Sequence, residues 1–238
     1  MASLLNNNQL PVIYITAFDK YWMFSNNSSK EAVNKLDIQN LEQELGVQII
    51  KETFDVSYKK LKHAIPQRWE ELKPKLVVHV GMSPRANGLK LECVAHNLSY
   101  EYNDDDRSVP ENFECIPGEY CVLLHKRELF LDNLHFVSAA QMFIYGKFIC
   151  EYEYYLSLSQ DKSRSVFIHV PPISTEHSVQ DIADALGIAI KELYHQVDEV
   201  DSRRPPGTSC QTHHLPSLSP PPPLPSQGLV VLGLVRRI

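Results

Sequence analysis

Three residues with the side chains that thiol-dependent hydrolysis requires fall near the ends of hydrophobic segments: Glu92, Cys150 and His169. Cys150 stands where the apolar FI gives way to EYEYYLSL, whose pattern predicts a helix. Unpaired N–H groups at a helix N-terminus favour the thiolate, which is the nucleophilic form of cysteine. His169, in SVFIHVPP, could take the thiol proton, and Glu92, among the apolar residues of LKLEC, could orient the imidazole.

Residue types alone nevertheless favour structural roles for these side chains. Cysteine is among the most buried residue types, and the ten histidines and five cysteines make many chance Cys/His pairs. A satisfied strand-end histidine is likewise the commoner role for His169. We expect His79, in LVVHVG, to donate to a neighbouring backbone carbonyl rather than to bind a metal. A catalytic interpretation therefore depends on the elements that position Cys150 and His169.

The body of the chain alternates strand-like and helix-like segments, which predicts an α/β fold. The predicted strands are 11–18, 47–54, 76–81, 89–95 and 165–170, and the predicted helices are 28–45, 57–72, 151–160 and 179–200. Strands separated by helices indicate one domain with a twisted, mostly parallel sheet and helices on both faces. Ligands of such sheets bind beyond the carboxyl ends of the strands, near which Glu92, Cys150 and His169 fall.

Several local signals predict where the helices begin and end. Asn27 or Ser28 is a suitable cap for the first helix, and Gly46 is suited to end it. Pro66 lies inside the second helix and is expected to kink it or split it in two. Pro74 then stops that helix.

The composition changes at Asp201, which predicts a domain over residues 1–200 and a tail over 201–238. The tail contains SLSPPPPLPSQ, and such a proline run favours polyproline II and does not join a core. A disordered tail is the favoured interpretation, and a PxxP ligand for an SH3-like partner is the alternative.

Composition, charge and the distribution of apolar residues argue against some functions. A net charge of -6 argues against nucleic acid, because phosphate binding needs a basic face. We find neither a signal-peptide pattern at the N-terminus nor an apolar run long enough to span a bilayer, so we expect a cytoplasmic protein without membrane contact. The five cysteines are irregularly spaced and contain no CxxC pair, so we expect free thiols, no metal site and no cofactor.

Four blocks of the sequence resemble the pyroglutamyl peptidase I family of cysteine peptidases. They are LVVHVG, then Leu91-Glu92 with His96-Asn97, then ICEYEYYLSL, then SVFIHVPP, in the family's order and at similar distances. The resemblance extends over residues 12–200 and leaves the tail outside. It implies an α/β fold and a cysteine-type omega peptidase, which removes an N-terminal pyroglutamyl residue from peptides without a metal or cofactor.

The resemblance also assigns roles to individual residues. It implies that Cys150 is the nucleophile, that His169 is the general base and acid, and that Glu92 orients the histidine. For the lactam ring of the substrate it implies a small apolar pocket. Its candidate substrate-binding residues are Phe18, Tyr21, Phe148 and Ile149, and Asn27 is either a further substrate contact or a helix cap.

Two departures from the family pattern keep other functions open. The family loop G-F-x-P-F-G is replaced by AFDKYW at residues 17–22, and residues 122–143 form a shorter segment than the family's equivalent. Both changes would affect the geometry on which the reaction rate depends. The first alternative is a catalytically weak or inactive member that binds peptide N-termini. The second is a different thiol hydrolase on the same scaffold.

Overall fold

A six-stranded sheet organises the computed structural model, which describes residues 10–20, 26–118, 122–124, 137–140 and 148–203. The strands are β1 (Val12–Phe18), β2 (Gln48–Phe54), β3 (Leu76–Met82), β4 (Leu89–Glu92), β5 (Val94–His96), β6 (Val122–Leu124), β7 (Val137–Ala140) and β8 (Ser165–Val170). The helices are α1 (Ser28–Lys35), α2 (Ile38–Leu45), α3 (Tyr58–Leu72), α4 (Ile149–Gln160) and α5 (Val179–Ser202), with a short 3₁₀ turn at Glu111–Phe113.

The sheet has the strand order β2-β1-β3-β8-β4-β7. The first four strands in that order are parallel to one another. β4 runs antiparallel to β8, and β7 is parallel to β4. β5 and β6 pair separately as a small antiparallel ribbon. The predicted α/β fold with a mostly parallel sheet is therefore confirmed.

Helices cover both faces of this sheet, as the near-continuous apolar strands require. Along β1, Ile13 and Ile15 belong to the core shared with α1, α2 and α5. Phe18 faces the opposite way, into the aromatic core shared with α3 and α4. The β1 side chains are buried on both faces of the sheet. The candidate active-site residues belong to the α3 and α4 side.

The predicted helix over 28–45 is wrong as a single element, because the chain forms two helices there. Asn27 caps α1, accepting a hydrogen bond from the Ser29 amide, as one of the two interpretations expected. Leu36 then leaves helical geometry, and the Asp37 side chain accepts from the Asn40 amide to start α2. An aspartate that caps a new helix competes with continuation of the old one. Gly46 ends α2 in the left-handed conformation, as predicted.

Pro66 does not split the helix that contains it, so that part of the expectation is wrong. α3 runs without interruption from Tyr58 to Leu72, starting after the Ser57 cap. Proline removes one backbone hydrogen bond, but the buried side chains Leu61 and Ile65 hold this helix in the core. Most of the stability of a helix in a protein comes from such packing.

Other boundaries differ by a few residues. The predicted strand over 89–95 is two strands, because the chain passes from the main sheet to the small ribbon at Cys93. α4 begins at Ile149 rather than at Glu151, and α5 continues to Ser202. The proline-rich segment lies outside the described residues from 204 onward, so the division at residue 200 stays a prediction.

Candidate active site

The imidazole of His169 is hydrogen-bonded to the carboxylate of Glu92. His169 Nδ1 lies 2.7 Å from Glu92 Oε1. The two residues lie on neighbouring antiparallel strands, where Glu92 is opposite Phe167 and Lys90 is opposite His169. The carboxylate therefore reaches diagonally across the pair, as long side chains can. Because a carboxylate accepts, Nδ1 carries the proton and Nε2 of the neutral ring is left to accept one.

Packing and hydrogen bonds hold this pair in place. Glu92 is 4% exposed, and its backbone carbonyl accepts a hydrogen bond from the Tyr154 hydroxyl at 3.0 Å. The Phe167 ring packs against the His169 ring, with 4.8 Å between their centroids. An orienting carboxylate and a neighbouring ring restrict the rotation of the imidazole, which is what a base with a fixed direction needs.

Cys150 lies in the first turn of α4. Its side chain packs over β3, the strand next to β8, which carries His169. A Cβ built on Gly81 would come within 3.0 Å of Cys150 Sγ. Gly81 of β3 is the register partner of His169 on β8, so both positions point to the same face of the sheet. The fold therefore brings together the three residues that the sequence marked as candidates for catalysis, Cys150, His169 and Glu92.

The thiol of Cys150 is harder to ionise than an ordinary cysteine. Burial raises its pKa, and the charges of Glu153 and Glu92 raise the pKa further. A backbone N–H at the helix start acts in the opposite direction and is outweighed. The lowering expected from the helix N-terminus alone is therefore not the net effect, because desolvation disfavours the anion more strongly. A thiol in this state needs a base.

A buried polar cluster, which the sequence did not reveal, lies beneath Cys150. Glu153 Oε1 accepts a hydrogen bond from Thr16 Oγ1 at 2.8 Å and lies 3.1 Å from His79 Nδ1. His79 Nδ1 also lies 2.8 Å from Thr16 Oγ1, so its expected backbone partner is replaced by side chains. A glutamate among the aromatic residues of EYEYYLSL, three residues after Cys150, was the available signal for this cluster.

A second glutamate attaches the start of α4 to the small ribbon. Glu151 Oε1 accepts from the His96 backbone amide at 2.8 Å and lies 2.6 Å from His96 Nδ1. Glu151 is 4% exposed and stands in the first helical turn, where a negative charge is favourable. His96 belongs to one of the blocks that carry the family resemblance, but its partner was not predictable from spacing.

The candidate substrate-binding residues differ in accessibility. Phe148, just before α4, is half-buried and meets Tyr58 and Tyr102 edge-on, with ring centroids 6.2 and 6.3 Å away. Phe18 and Ile149 are each 2% exposed in the aromatic core. Tyr21 lies outside the described residues.

Asn27 forms hydrogen bonds within the protein through both its side-chain oxygen and its side-chain nitrogen. Its side-chain oxygen accepts from the Ser29 amide and hydroxyl, and its side-chain nitrogen donates to the Asp19 carbonyl at 3.0 Å. The capping role suggested by the sequence is confirmed.

Neither a metal-binding cluster nor a membrane-spanning helix is present within the described ranges. No cluster of three or more His, Cys, Asp or Glu side chains there could hold a metal ion. No helix in that part of the chain is long and apolar enough to cross a membrane. Cys93, Cys115 and Cys150 are free thiols.

Comparison with known proteins identifies the class to which this fold and site belong. The sequence model of the pyroglutamyl peptidase family matches residues 12–193. The match covers more than half of the chain, and the chain belongs to this family of cysteine peptidases.

Individual relatives agree with that assignment. Mouse pyroglutamyl-peptidase 1 is 29% identical over 199 residues, which cover 79% of this chain and 92% of the mouse protein. A human pyroglutamyl-peptidase 1-like protein is 29% identical over 178 residues, covering 72% of this chain and 88% of the human one.

Solved structures show the same fold at lower sequence identity. A mutant pyrrolidone carboxyl peptidase from Pyrococcus furiosus superposes with a TM-score of 0.66 at 20% identity, covering 78% of this chain and 99% of the other. The Thermus thermophilus enzyme gives a TM-score of 0.64 at 21% identity, covering 76% and 99% respectively.

Proposed function

We propose that this chain is a cysteine-type omega peptidase that removes an N-terminal pyroglutamyl residue from peptides. Family membership supports the substrate class. The observation that carries the proposal is the arrangement of three side chains: His169 is oriented by Glu92 at 2.7 Å, and the Cys150 sulfur lies over Gly81, the strand partner of His169. Thiol, imidazole and carboxylate in this order form the nucleophile, base and orienter of a triad.

Acylation begins from a neutral thiol. Because burial raises the pKa of Cys150, the thiol keeps its proton until His169 Nε2 accepts it. The thiolate attacks the amide carbonyl that joins the lactam residue to the next amino acid. Glu92 stabilises the imidazolium that forms, and His169 then gives the proton to the leaving amine. A pyroglutamyl thioester on Cys150 and a shortened peptide result.

Deacylation uses the same groups in the reverse roles. His169 takes a proton from water, the resulting hydroxide attacks the thioester, and the proton returns to the departing sulfur. Negative charge develops on the carbonyl oxygen in both steps. The backbone N–H groups of the first turn of α4, including that of Cys150, have no partner within the helix and are suitable fixed donors for this oxyanion.

The lactam ring is small, flat and uncharged, so an apolar pocket with few polar contacts suits it. Phe148 fits this role best among the candidates, because its ring is half-buried and immediately precedes the helix of Cys150. Phe18 and Ile149, which are buried, would shape the pocket from below and contribute less contact surface.

The test is release of a fluorescent amine from a pyroglutamyl amide. Wild type should turn over, Cys150→Ala should not, and Cys93→Ala, which changes a second half-buried thiol, should keep the wild-type rate. The matching amide of proline, which lacks the lactam carbonyl, should be a poor substrate. No turnover by the folded wild-type protein would overturn the peptidase proposal.

A catalytically weak family member that binds peptide N-termini is the second candidate. The raised pKa of Cys150 favours it, because a largely neutral thiol is a poor nucleophile unless the base is well placed. Calorimetric titration of wild type with a pyroglutamyl peptide separates the two functions. Tight binding without product formation supports the binding role, and turnover excludes it.

A further inference from the structure

Thr16, His79 and Glu153 form a buried triplet that the proposed mechanism does not use. The three side chains come from β1, β3 and α4, and each residue is 0% exposed. Thr16 Oγ1 donates to Glu153 Oε1, and His79 Nδ1 lies within 3.1 Å of both oxygens. Within the described part of the chain, Glu153 Oε2 and His79 Nε2 are buried and have no hydrogen-bond partner.

A carboxylate at this depth requires compensation. Transfer of a lone charge from water into a protein interior is strongly unfavourable, whereas a charge paired with an opposite one is tolerated. The basic side chain of His79 lies beside Glu153, with 3.1 Å between His79 Nδ1 and Glu153 Oε1. The two side chains therefore act as a coupled unit, in which removal of either partner changes the net charge left behind.

This unit lies next to the nucleophile. Glu153 follows Cys150 by three residues on α4, a spacing that places both side chains on one face of the helix. After burial itself, the charge of Glu153 is the largest contribution that raises the pKa of the Cys150 thiol. His79 stacks on Phe167, and Phe167 Cζ would lie 2.7 Å from a Cβ built on Gly81. The Phe167 ring therefore lies close to both the triplet and the Cys150 thiol.

We propose that Glu153 and His79 are positioning residues for Cys150: Glu153 holds a buried carboxylate on the Cys150 face of α4, and His79, whose Nδ1 lies 3.1 Å from Glu153 Oε1, offsets its charge. The inference rests on the proposed function in one respect, since its importance for turnover requires Cys150 to be the nucleophile. Its effect on the thiol itself does not depend on turnover.

Other ionisable groups also face Cys150. Their influence on the thiol must stay constant when Glu153 or His79 is replaced. Glu92 approaches from β4, His169 from β8, and Glu151 from α4 itself, where it is paired with His96 of β5. From α3, Tyr58 and Trp69 pack against α4, and Tyr14 of β1 interacts with Glu153. None of these changes in the variants below.

The experiment measures Cys150 alkylation by iodoacetamide as a function of pH, on the full chain without substrate. Mass spectrometry of the peptide that contains Cys150 gives the pH at which alkylation reaches half of its maximal rate, which is the midpoint. Alkylation of Cys93 in the same digest is an internal reference. We expect Glu153→Gln to lower the midpoint by about one pH unit and His79→Asn to raise it by a similar amount. The alkylation midpoint of Cys93 should be the same in both variants as in wild type.

Opposite shifts of the Cys150 alkylation midpoint separate this role from a merely structural one. Loosening of the core would shift the midpoint in the same direction in both variants. Glu42→Gln is the matched control, since Glu42 is a hydrogen-bonded carboxylate of α2 on the other face of the sheet. Shifts of the same sign, or no shift, would overturn the proposal. If either variant does not fold, His79→Gln or Glu153→Ala takes its place, because the decision needs the sign of both shifts. A clear pair of shifts in a protein without peptidase activity would retain this inference and reject the proposed function.

Discussion

The Cys150 sulfur lies so close to Gly81 that a side chain at position 81 would force Cys150 or Phe167 to move. A Cβ on Gly81 would lie 3.0 Å from Cys150 Sγ and 2.7 Å from Phe167 Cζ. Both distances are shorter than ordinary van der Waals contact, so one of the two side chains would have to move. Because Gly81 also pairs with His169, this glycine sets the spacing between the helix that carries Cys150 and the strand that carries His169.

Gly81→Ala is therefore expected to reduce activity much more than stability. Displacement of the sulfur by about 1 Å should lower kcat/KM by about 100-fold. The free energy of unfolding should fall by only about 1–3 kcal/mol, because the atoms in the way belong to side chains rather than to the backbone. Enzyme kinetics together with thermal unfolding check both values.

Gly187→Ala is the matched control for that variant. A Cβ on Gly187 meets nothing nearer than Leu36 Cδ2 at 3.8 Å, and Gly187 lies inside α5. Alanine at this helical position should stabilise the protein by about 1 kcal/mol and leave kcat/KM unchanged. Equal losses of activity in the two glycine variants would contradict the role given to Gly81.

Glu92→Gln should lower kcat by about 1,000-fold with little change in KM. The amide nitrogen of glutamine can donate to His169 Nδ1, which would leave the proton on Nε2 and remove the base. Steady-state kinetics and the folded fraction by circular dichroism are the measurements. A loss of less than tenfold would show that the carboxylate does not orient the base.

The raised pKa of Cys150 has a consequence for stability at alkaline pH. The unfolded thiol ionises near pH 8.5, whereas the folded thiol stays protonated to higher pH, so the unfolded state releases the proton first. Relative to Cys150→Ser, wild type should therefore lose stability as pH rises above about 8.5, by up to about 1.4 kcal/mol per pH unit. Below about pH 8 the difference in the free energy of unfolding between wild type and Cys150→Ser should be constant.

Urea unfolding at several pH values between 6 and 10 checks this expectation, with Cys93→Ser as a second thiol variant. The pKa of Cys93 is raised as well, through burial and Glu92. A wild-type advantage over Cys150→Ser that grows with pH would mean that the folded state lowers the thiol pKa instead.

Phe148→Ala should raise KM for the pyroglutamyl amide by about tenfold and change kcat less, because the ring contributes apolar contact rather than chemistry. Phe113→Ala is the control, since Phe113 is 46% exposed on the 3₁₀ turn and has no assigned role. A fall in kcat with unchanged KM would instead indicate that Phe148 positions α4.

Substrate kinetics on the two phenylalanine variants should be read beside their thermal unfolding midpoints. Phe148 contacts Tyr58 edge-on, so its removal will also cost some stability. The KM effect is assigned to substrate contact only if the variant is fully folded at the assay temperature.

Much of this architecture could be predicted from the chain alone. Apolar β-branched runs such as LVVHVG and SVFIHVPP are buried on both faces, and such runs are diagnostic of central strands. The identities of Cys150, His169 and Glu92 as candidates followed from residue chemistry and from the blocks that surround them. Asn27 and Gly46 marked helix ends through local backbone rules, which need no tertiary information.

Only the tertiary structure decided how these residues meet. Glu92 reaches His169 because β4 inserts antiparallel beside β8, a pairing between positions 77 residues apart. Glu153 finds Thr16 across 137 positions, and no local pattern encodes such a contact. The sign of the pKa shift at Cys150 is likewise a property of the fold. A helix start favours the thiolate wherever it occurs, but burial and neighbouring carboxylates exist only once the chain is packed, and here they are the stronger effect.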